Sequence, residues 1–113
     1  MTTISTHVLD TSAGRPAAGI DVRLLRRDGT SWTLVSEETT NVDGRVPALL
    51  QPGMRAEPGE YRLVFDVDVY FAARRQDSFY TTVEIAFVVR DASQHYHVPL
   101  LLSPFGYSTY RGS

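Results

Sequence analysis

The chain has 113 residues, of which 42% are hydrophobic and 21% are charged, and its formal net charge is −2. These values are typical of one globular domain, here residues 1–113, and they argue against a basic nucleic-acid-binding surface. Cysteine is absent, which excludes disulfides, thiol nucleophiles and thiolate metal sites. Because no apolar run has the length of a membrane span and the start does not resemble a secretory signal, we expect a cytoplasmic protein.

Alternation of apolar and other residues predicts a series of short strands. In the first strand, Ile4, Thr6 and Val8 alternate with residues that include His7. Turn sequences such as Asp28-Gly29 separate the strands that follow. The predicted strands cover residues 4–10, 20–25, 32–40, 46–50, 61–67, 82–89, 96–102 and 107–111.

One short helix is predicted near residues 69–75. Its apolar residues bunch together instead of alternating, and Asp68 precedes them as a candidate N-cap. Arg74 and Arg75 lie at the C-terminal end, where positive charge is favoured. Eight short strands, one small helix and short connections predict an all-β fold, an eight-stranded antiparallel Greek-key β-sandwich.

The C-terminal residues 94–113 are predicted to form a hairpin around the turn Ser103-Pro104-Phe105-Gly106. A pairing centred in this turn sets residues whose numbers add to about 209 opposite each other, which places His97 beside Gly112 and close to Ser113. Strand alternation directs the even-numbered residues of 96–102 to the core. The opposite face then carries His95 and His97 among apolar residues, as a covered subunit interface would.

Few residues in the chain have side chains suited to catalysis. His95 and His97 lie two apart on one strand face and could serve one site, either as a metal pair or as a base with its partner. His7, taken alone, is more often a surface residue, and Arg45, which follows a turn, is more often a solvated strand end. The sequence contains no phosphate loop, dinucleotide glycine pattern or nucleophile elbow.

Two long stretches resemble the signatures of a known family, the transthyretin-related 5-hydroxyisourate hydrolases. Residues 6–20, Thr-His-Val-Leu-Asp-Thr-Ser-Ala-Gly-Arg-Pro-Ala-Ala-Gly-Ile, resemble its opening signature. Residues 95–110, His-Tyr-His-Val-Pro-Leu-Leu-Leu-Ser-Pro-Phe-Gly-Tyr-Ser-Thr-Tyr, resemble its closing one. The final Tyr110-Arg111-Gly112-Ser113 resembles the tail of the hydrolase branch, which the hormone carriers with the same fold lack.

This resemblance implies a transthyretin-like fold and the hydrolysis of 5-hydroxyisourate, the product of urate oxidation, to 2-oxo-4-hydroxy-4-carboxy-5-ureidoimidazoline. By position it implies catalytic roles for His7, Arg45, His97 and Ser113, and substrate binding by His7, Arg45 and Tyr110. It also implies that the enzyme uses no metal or other cofactor. The implied assembly is a homotetramer, a dimer of dimers, with no nucleic-acid or membrane partner.

Two alternatives stay open at this point. The chain could be a transthyretin-like carrier of small ligands, because one fold hosts both functions in this family. Alternatively, His7, His95 and His97 could converge on a zinc ion that activates water. The sequence also leaves open which imidazole acts as base and which as acid.

Overall fold

A computed structural model describes residues 3–113 of the chain. Within these residues it contains nine strands and one helix. The strands are β1 (Thr3–Asp10), β2 (Arg15–Pro16), β3 (Asp21–Asp28), β4 (Ser31–Thr39), β5 (Arg45–Val46), β6 (Gly59–Phe65), β7 (Val83–Val89), β8 (His95–Ser103) and β9 (Gly106–Thr109), and the helix is α1 (Val67–Ala73).

The strands form two sheets that enclose a hydrophobic core. One sheet has the order β2-β1-β8-β9, with β5 also paired to β1, and the other has the order β4-β3-β6-β7. The alternate residues Tyr96, Val98, Leu100 and Leu102 are buried in the core, as the alternation predicted. The predicted β-sandwich with one short helix is therefore confirmed.

Two details of the predicted sandwich were wrong. The structure has nine strands where eight were predicted, because the loop segment Arg15–Pro16 pairs with the end of β1. In addition, β1 and β8 pair in parallel, from Thr3 opposite His95 to Asp10 opposite Leu102. Short connections favour antiparallel pairing only between consecutive strands, and β1 and β8 come from opposite ends of the chain.

The helix begins two residues earlier than predicted, and Asp68 is not its N-cap. Val67, Tyr70 and Phe71 are the buried positions of α1, so this i, i+3, i+4 set determines where the helix lies. Asp68 falls in the first turn and accepts a hydrogen bond from Ser78 Oγ over 3.0 Å. No helix within residues 3–113 is long and apolar enough to cross a membrane.

The strand predicted over residues 46–50 is shorter than expected. Only Arg45 and Val46 pair with β1, opposite His7 and Thr6. Pro47 follows immediately and has no N–H to extend the ladder. This short β5 holds Arg45 directly beside His7 in the sheet.

The C-terminal hairpin has the predicted register. Leu100 pairs with Thr109, and Ser103 pairs with Gly106 across the turn. The same register continues to an isolated bridge between His97 and Gly112. The tail after β9 therefore packs along β8, and it brings Ser113 to the histidine strand.

Candidate active site

The parallel pairing of β1 with β8 brings the histidine-bearing faces of both strands together. Ser5 lies opposite His97, and His7 lies opposite Pro99. Partners in register on neighbouring strands point to the same side of a sheet. His7 on β1 and His95 and His97 on β8 are therefore on the face of this sheet that is turned away from the core.

A buried serine connects the two imidazoles of β8. Ser5 is only 7% exposed. Its Oγ lies 2.8 Å from His97 Nδ1 and 3.4 Å from His95 Nε2. Thr3 Oγ1 contacts His95 Nδ1, and the two rings are nearly parallel with centroids 6.2 Å apart. A chain of polar groups thus runs from Thr3 at the surface to His97.

The surroundings of His97 favour its neutral form. Burial lowers the pKa of His97 below its ordinary value, and electrostatic interactions with His95, Arg45 and His7 lower it further. A neutral imidazole has one ring nitrogen free to accept a proton. His97 is therefore suited to act as a general base near neutral pH.

A tight turn determines the position of Arg45. The Asn41 side-chain oxygen accepts hydrogen bonds from the backbone N–H groups of Asp43, over 2.9 Å, and Arg45, over 3.0 Å. Gly44 has a φ of +72°, which glycine adopts without strain. In the described part of the chain, no carboxylate forms an ion pair with the exposed Arg45. Its guanidinium is thus available to a ligand.

The tail closes against His97. The Gly112 N–H donates to the His97 carbonyl over 2.8 Å, and Arg111 donates to Gln94 Oε1 over 3.0 Å and to the His95 carbonyl over 3.2 Å. The φ of Gly112 is not positive, so backbone conformation does not require a glycine at this position. Glycine is needed there for lack of space, because a Cβ atom would lie 2.5 Å from His97 Cδ2.

A pocket of about 250 Å³ opens where these elements meet. Arg45, His95, His97 and Ser113 line it. His7 is half-buried beside Arg45 and is not among the lining residues. Tyr110 is 58% exposed and lines a neighbouring pocket of about 570 Å³ that also reaches His97. The structure thus brings three of the predicted site residues into one pocket and places the other two next to it.

The three histidines do not converge on a common point. Among residues 3–113 no group of three or more His, Cys, Asp or Glu side chains is placed to hold a metal ion. Two of the candidate zinc ligands instead contact hydroxyl groups, His95 through Thr3 and Ser5, and His97 through Ser5. The donor geometry therefore does not support the zinc alternative.

Ser5 and Asn41 were not predicted from the sequence as residues of the site, although they contact His97 and Arg45. Alternation along β1 places Ser5 on the same face as His7, but it does not reveal that β8 lies alongside. Asn41 belonged to a predicted turn, and its position four residues before Arg45 was the available signal.

Comparisons with known proteins agree with this architecture. A mouse protein named 5-hydroxyisourate hydrolase is 47% identical over 112 residues, covering 97% of this chain and 94% of its own. A solved Klebsiella pneumoniae 5-hydroxyisourate hydrolase superimposes with a TM-score of 0.86 at 37% identity, covering 98% of this chain and 99% of its own. Sea bream transthyretin in complex with thyroxine superimposes with a TM-score of 0.91 at 26% identity, covering 97% of this chain and 94% of its own.

The family model described as HIUase/Transthyretin family matches residues 4–112. That range includes both signature stretches and all but the last residue of the tail. The resemblance that the sequence indicated is thereby confirmed. The chain belongs to the HIUase/Transthyretin family.

Proposed function

We propose that this protein is a 5-hydroxyisourate hydrolase, which opens the ring of its substrate with water in the degradation of urate. The observation that carries the proposal is the pocket shared by Arg45, His97 and Ser113. These residues supply a permanent positive charge, an imidazole and a hydroxyl to one concave site, as a hydrolytic site for a small polar ring requires. The identity of 47% to the mouse hydrolase, over nearly the whole of both chains, supports the same activity.

His97 is the general base of this reaction. It takes a proton from water as the water oxygen bonds to a ring carbonyl carbon of the substrate. The carbonyl oxygen then becomes an oxyanion. The proton is accepted by a ring nitrogen that burial and neighbouring positive charges keep unprotonated.

Arg45 stabilises the negative charge that develops on the oxyanion. Its guanidinium is permanently charged and presents several N–H donors in a planar fork. The pairing of β5 with β1 holds Arg45 beside His7. When the intermediate collapses, the C–N bond breaks, the ring nitrogen takes up a proton, and the carbonyl carbon becomes a carboxylate.

The remaining site residues orient the substrate and the water. His7 lies beside Arg45 and binds the substrate at that side of the pocket, where it is placed to supply the proton that the leaving nitrogen needs. Ser113 of the tail lines the same pocket as Arg45 and His97. Tyr110 lines the adjacent pocket, next to His97, and contacts the part of the substrate that extends in that direction.

A carrier function is the weaker alternative. The overall fold does not distinguish the two functions, because the TM-score is 0.91 to the carrier and 0.86 to the hydrolase. The resemblance of the tail to that of the hydrolase branch favours the hydrolase, and Ser113 of the tail lines the histidine pocket. The test is a protein that lacks residues 110–113. We expect this variant to fold and to lose the ability to accelerate the decay of 5-hydroxyisourate, whereas a rate equal to that of the full chain would contradict the proposal.

The proposal includes a homotetramer, a dimer of dimers, in the cytoplasm. On the outer face of the β2-β1-β8-β9 sheet the apolar side chain of Leu101 remains partly exposed, on the same face as the exposed His95. Apolar groups on such a face are better covered by another subunit than left in water. Light scattering of the purified protein tests this: the proposal predicts four times the chain mass of 12.6 kDa.

A further inference from the structure

We propose that Ser5 is a positioning residue that accepts the Nδ1–H of His97 and so leaves His97 Nε2 unprotonated towards the pocket. The proposal rests on the role of His97 as the base in the proposed hydrolysis. Ser5 itself need not touch the substrate. It acts through His97, by selecting which of the two neutral forms of the ring is present.

The contacts around the His97 ring determine which nitrogen faces the pocket. Nδ1 is directed at Ser5 on β1, with 2.8 Å between the atoms. Cδ2, on the other side of the ring, faces the tail at Gly112. Nε2 is bonded to Cδ2, so it lies at the far end of the ring on the side of the tail. Because Nδ1 is engaged by Ser5 and Ser113, the next residue of the tail, lines the pocket, we infer that Nε2 is the nitrogen that a water molecule or substrate meets.

The hydrogen bonds from Thr3 to His97 can run in two directions, and only one of them is compatible with the positive charge of Arg45. In this direction, His95 Nδ1–H donates to Thr3, the Ser5 hydroxyl donates to His95 Nε2, and Ser5 Oγ accepts from His97 Nδ1. Each group then donates one hydrogen bond, and the next group accepts it. His97 Nε2 ends the chain with a free lone pair.

The opposite direction would conflict with Arg45. If the direction of every hydrogen bond in the chain were reversed, the Ser5 hydroxyl would donate to His97 Nδ1. His97 would then carry its proton on Nε2, at the pocket. The ring would then present a donor to the guanidinium of Arg45, which consists only of donors and a positive charge. A lone pair on Nε2 is attracted to that charge instead. Arg45 and His97 line the same pocket, and the charge of Arg45 acts on His97.

Burial makes the contact with Ser5 important. Ser5 is one of the residues that line the pocket, but it is only 7% exposed, so the contact between its hydroxyl and His97 Nδ1 is largely shielded from water. A buried N–H without an acceptor is costly, and the ring of Ser5→Ala is therefore free to adopt the other neutral form or another orientation. Loss of a partner that orients a metal-bound imidazole typically lowers activity about 10- to 100-fold, and we expect an effect of the same order for His97.

The first test is a measurement of the His97 tautomer in the wild-type protein. Nitrogen-15 NMR of histidine-labelled protein distinguishes the Nδ1–H from the Nε2–H form. The chain has three histidines, so single variants of His7 and His95 assign the signals. We expect the Nδ1–H form for His97, and the Nε2–H form would overturn the proposal. This readout does not require activity, so it separates failure of this inference from failure of the proposed function.

The second test compares the kinetics of Ser5→Ala, Ser5→Thr and the control Thr11→Ala. The Thr11 hydroxyl donates to the Leu102 carbonyl over 3.1 Å, so the control removes a hydroxyl that bonds to β8 through the backbone and not through a histidine, away from the pocket. We expect Ser5→Ala to lose about 10- to 100-fold in kcat/KM, Ser5→Thr to recover most of this activity, and the control to retain it. Equal activities of Ser5→Ala and the wild type would overturn the proposal.

The pH dependence of activity in Ser5→Ala is the third test, because a merely structural role of Ser5 predicts no particular shift of the acidic limb. The charged or titratable groups that face His97 are His95 on its own strand, His7 on β1 and Arg45 on β5, and all remain in this variant. Loss of an acceptor for Nδ1–H disfavours the imidazolium, so the acidic limb moves to lower pH. If Ser5 were instead the donor, its loss would move this limb to higher pH, which would overturn the proposal.

Discussion

His97 and Gly112 are joined by an antiparallel bridge so close that no side chain fits between them. The Gly112 N–H donates to the His97 carbonyl over 2.8 Å, and a Cβ atom on Gly112 would lie 2.5 Å from His97 Cδ2 and 3.1 Å from Pro99 Cγ. The tail thus acts as one wall of the His97 site. It limits the position of the ring from the side opposite to Ser5.

The first prediction concerns Gly112→Ala. The added methyl group forces the His97 ring or the tail to move, and a displacement of about 1 Å at a catalytic group can cost about 100-fold in rate. We expect a loss of that order in kcat with little change in the circular dichroism spectrum. Gly106→Ala is the matched control in the same hairpin, because its Cβ would meet only Ser103 Oγ at 3.8 Å. Equal kinetics of the two variants would show that the tail does not constrain His97.

The second prediction concerns the pH dependence of the reaction. Burial lowers the pKa of His97 most, followed by the electrostatic interaction with His95 and then by those with Arg45 and His7. A base must be unprotonated to act, so activity falls as the pH is lowered through this pKa, which lies below the ordinary histidine value. His95→Gln removes the second cause, and we expect the acidic limb of kcat/KM to move to higher pH.

Arg55→Gln is the control for this shift. It removes a positive charge that is not among the causes of the lowered His97 pKa. The limb should therefore stay where it is in the wild type. An unchanged limb in His95→Gln would contradict the electrostatic account of His97.

The third prediction concerns the turn that positions Arg45. Gly44 has a φ of +72°, and a Cβ there would lie 2.5 Å from the Val8 carbonyl oxygen. The Val8 N–H also donates to the Gly44 carbonyl over 2.7 Å, so this turn is attached to β1. We expect Gly44→Ala to be destabilised by more than the roughly 1–2 kcal/mol of left-handed strain alone, and to lose activity because Arg45 moves.

Gly14→Ala provides the matched comparison. Gly14 has a φ of +69°, close to that of Gly44, but no atom lies within 4 Å of its Cβ position. Urea denaturation of both variants separates the backbone strain, which they share, from the collision, which only Gly44→Ala has. Equal free energies of unfolding would mean that the turn and β1 are not packed as described.

The fourth prediction concerns the contact between the helix and the first strand. The Tyr70 hydroxyl donates to Asp10 Oδ2 over 2.7 Å, and both residues are buried. Burial and the hydrogen bond to Asp10 raise the pKa of Tyr70 to about 12. Hydrogen bonds to charged groups contribute about 1.5–3 kcal/mol. We expect Tyr70→Phe to lower the free energy of unfolding by that amount.

Tyr107→Phe is the control for Tyr70→Phe, because Tyr107 is 43% exposed and surface substitutions of this kind usually change stability by less than about 0.5 kcal/mol. The effect also has a pH dependence. Burial opposes ionisation of Asp10, but hydrogen bonds from Ser12, Tyr70 and Ala13 outweigh it and lower the Asp10 pKa. The stability from Asp10 is therefore present above the unfolded-state pKa and is lost as the pH falls through the folded-state value.

The features that local sequence determines were predicted well. The turn at Ser103-Pro104 and the alternation of β8 together specify one register, so the neighbours His97 and Gly112 followed from the sequence. Features that depend on pairing between distant segments were not predicted. Ser5 contacts His97 only because β1 and β8 pair in parallel, and no local pattern indicates that pairing.

The helix boundary shows a second limit. Aspartate is a favoured N-cap residue, which is why Asp68 was predicted as the cap. The helix α1 begins earlier because Val67 and Tyr70 are buried in the core, and burial depends on tertiary packing and not on local sequence. The role of Arg45 came from family resemblance, because its position after a turn is commonplace. The structure shows how Arg45 is positioned, by the turn at Asn41 and by the pairing of Arg45 with His7.

The most direct test of the central proposal follows the transient absorbance of 5-hydroxyisourate, generated in place from urate by urate oxidase. Its decay is measured without the protein, with the wild type, and with His97→Ala as a folded variant. We predict that the wild type accelerates the decay in proportion to its concentration and that His97→Ala loses most of this acceleration. A folded wild-type protein that leaves the spontaneous decay unchanged would contradict the hydrolase function, and an equally active His97→Ala would contradict the role of His97 as the base.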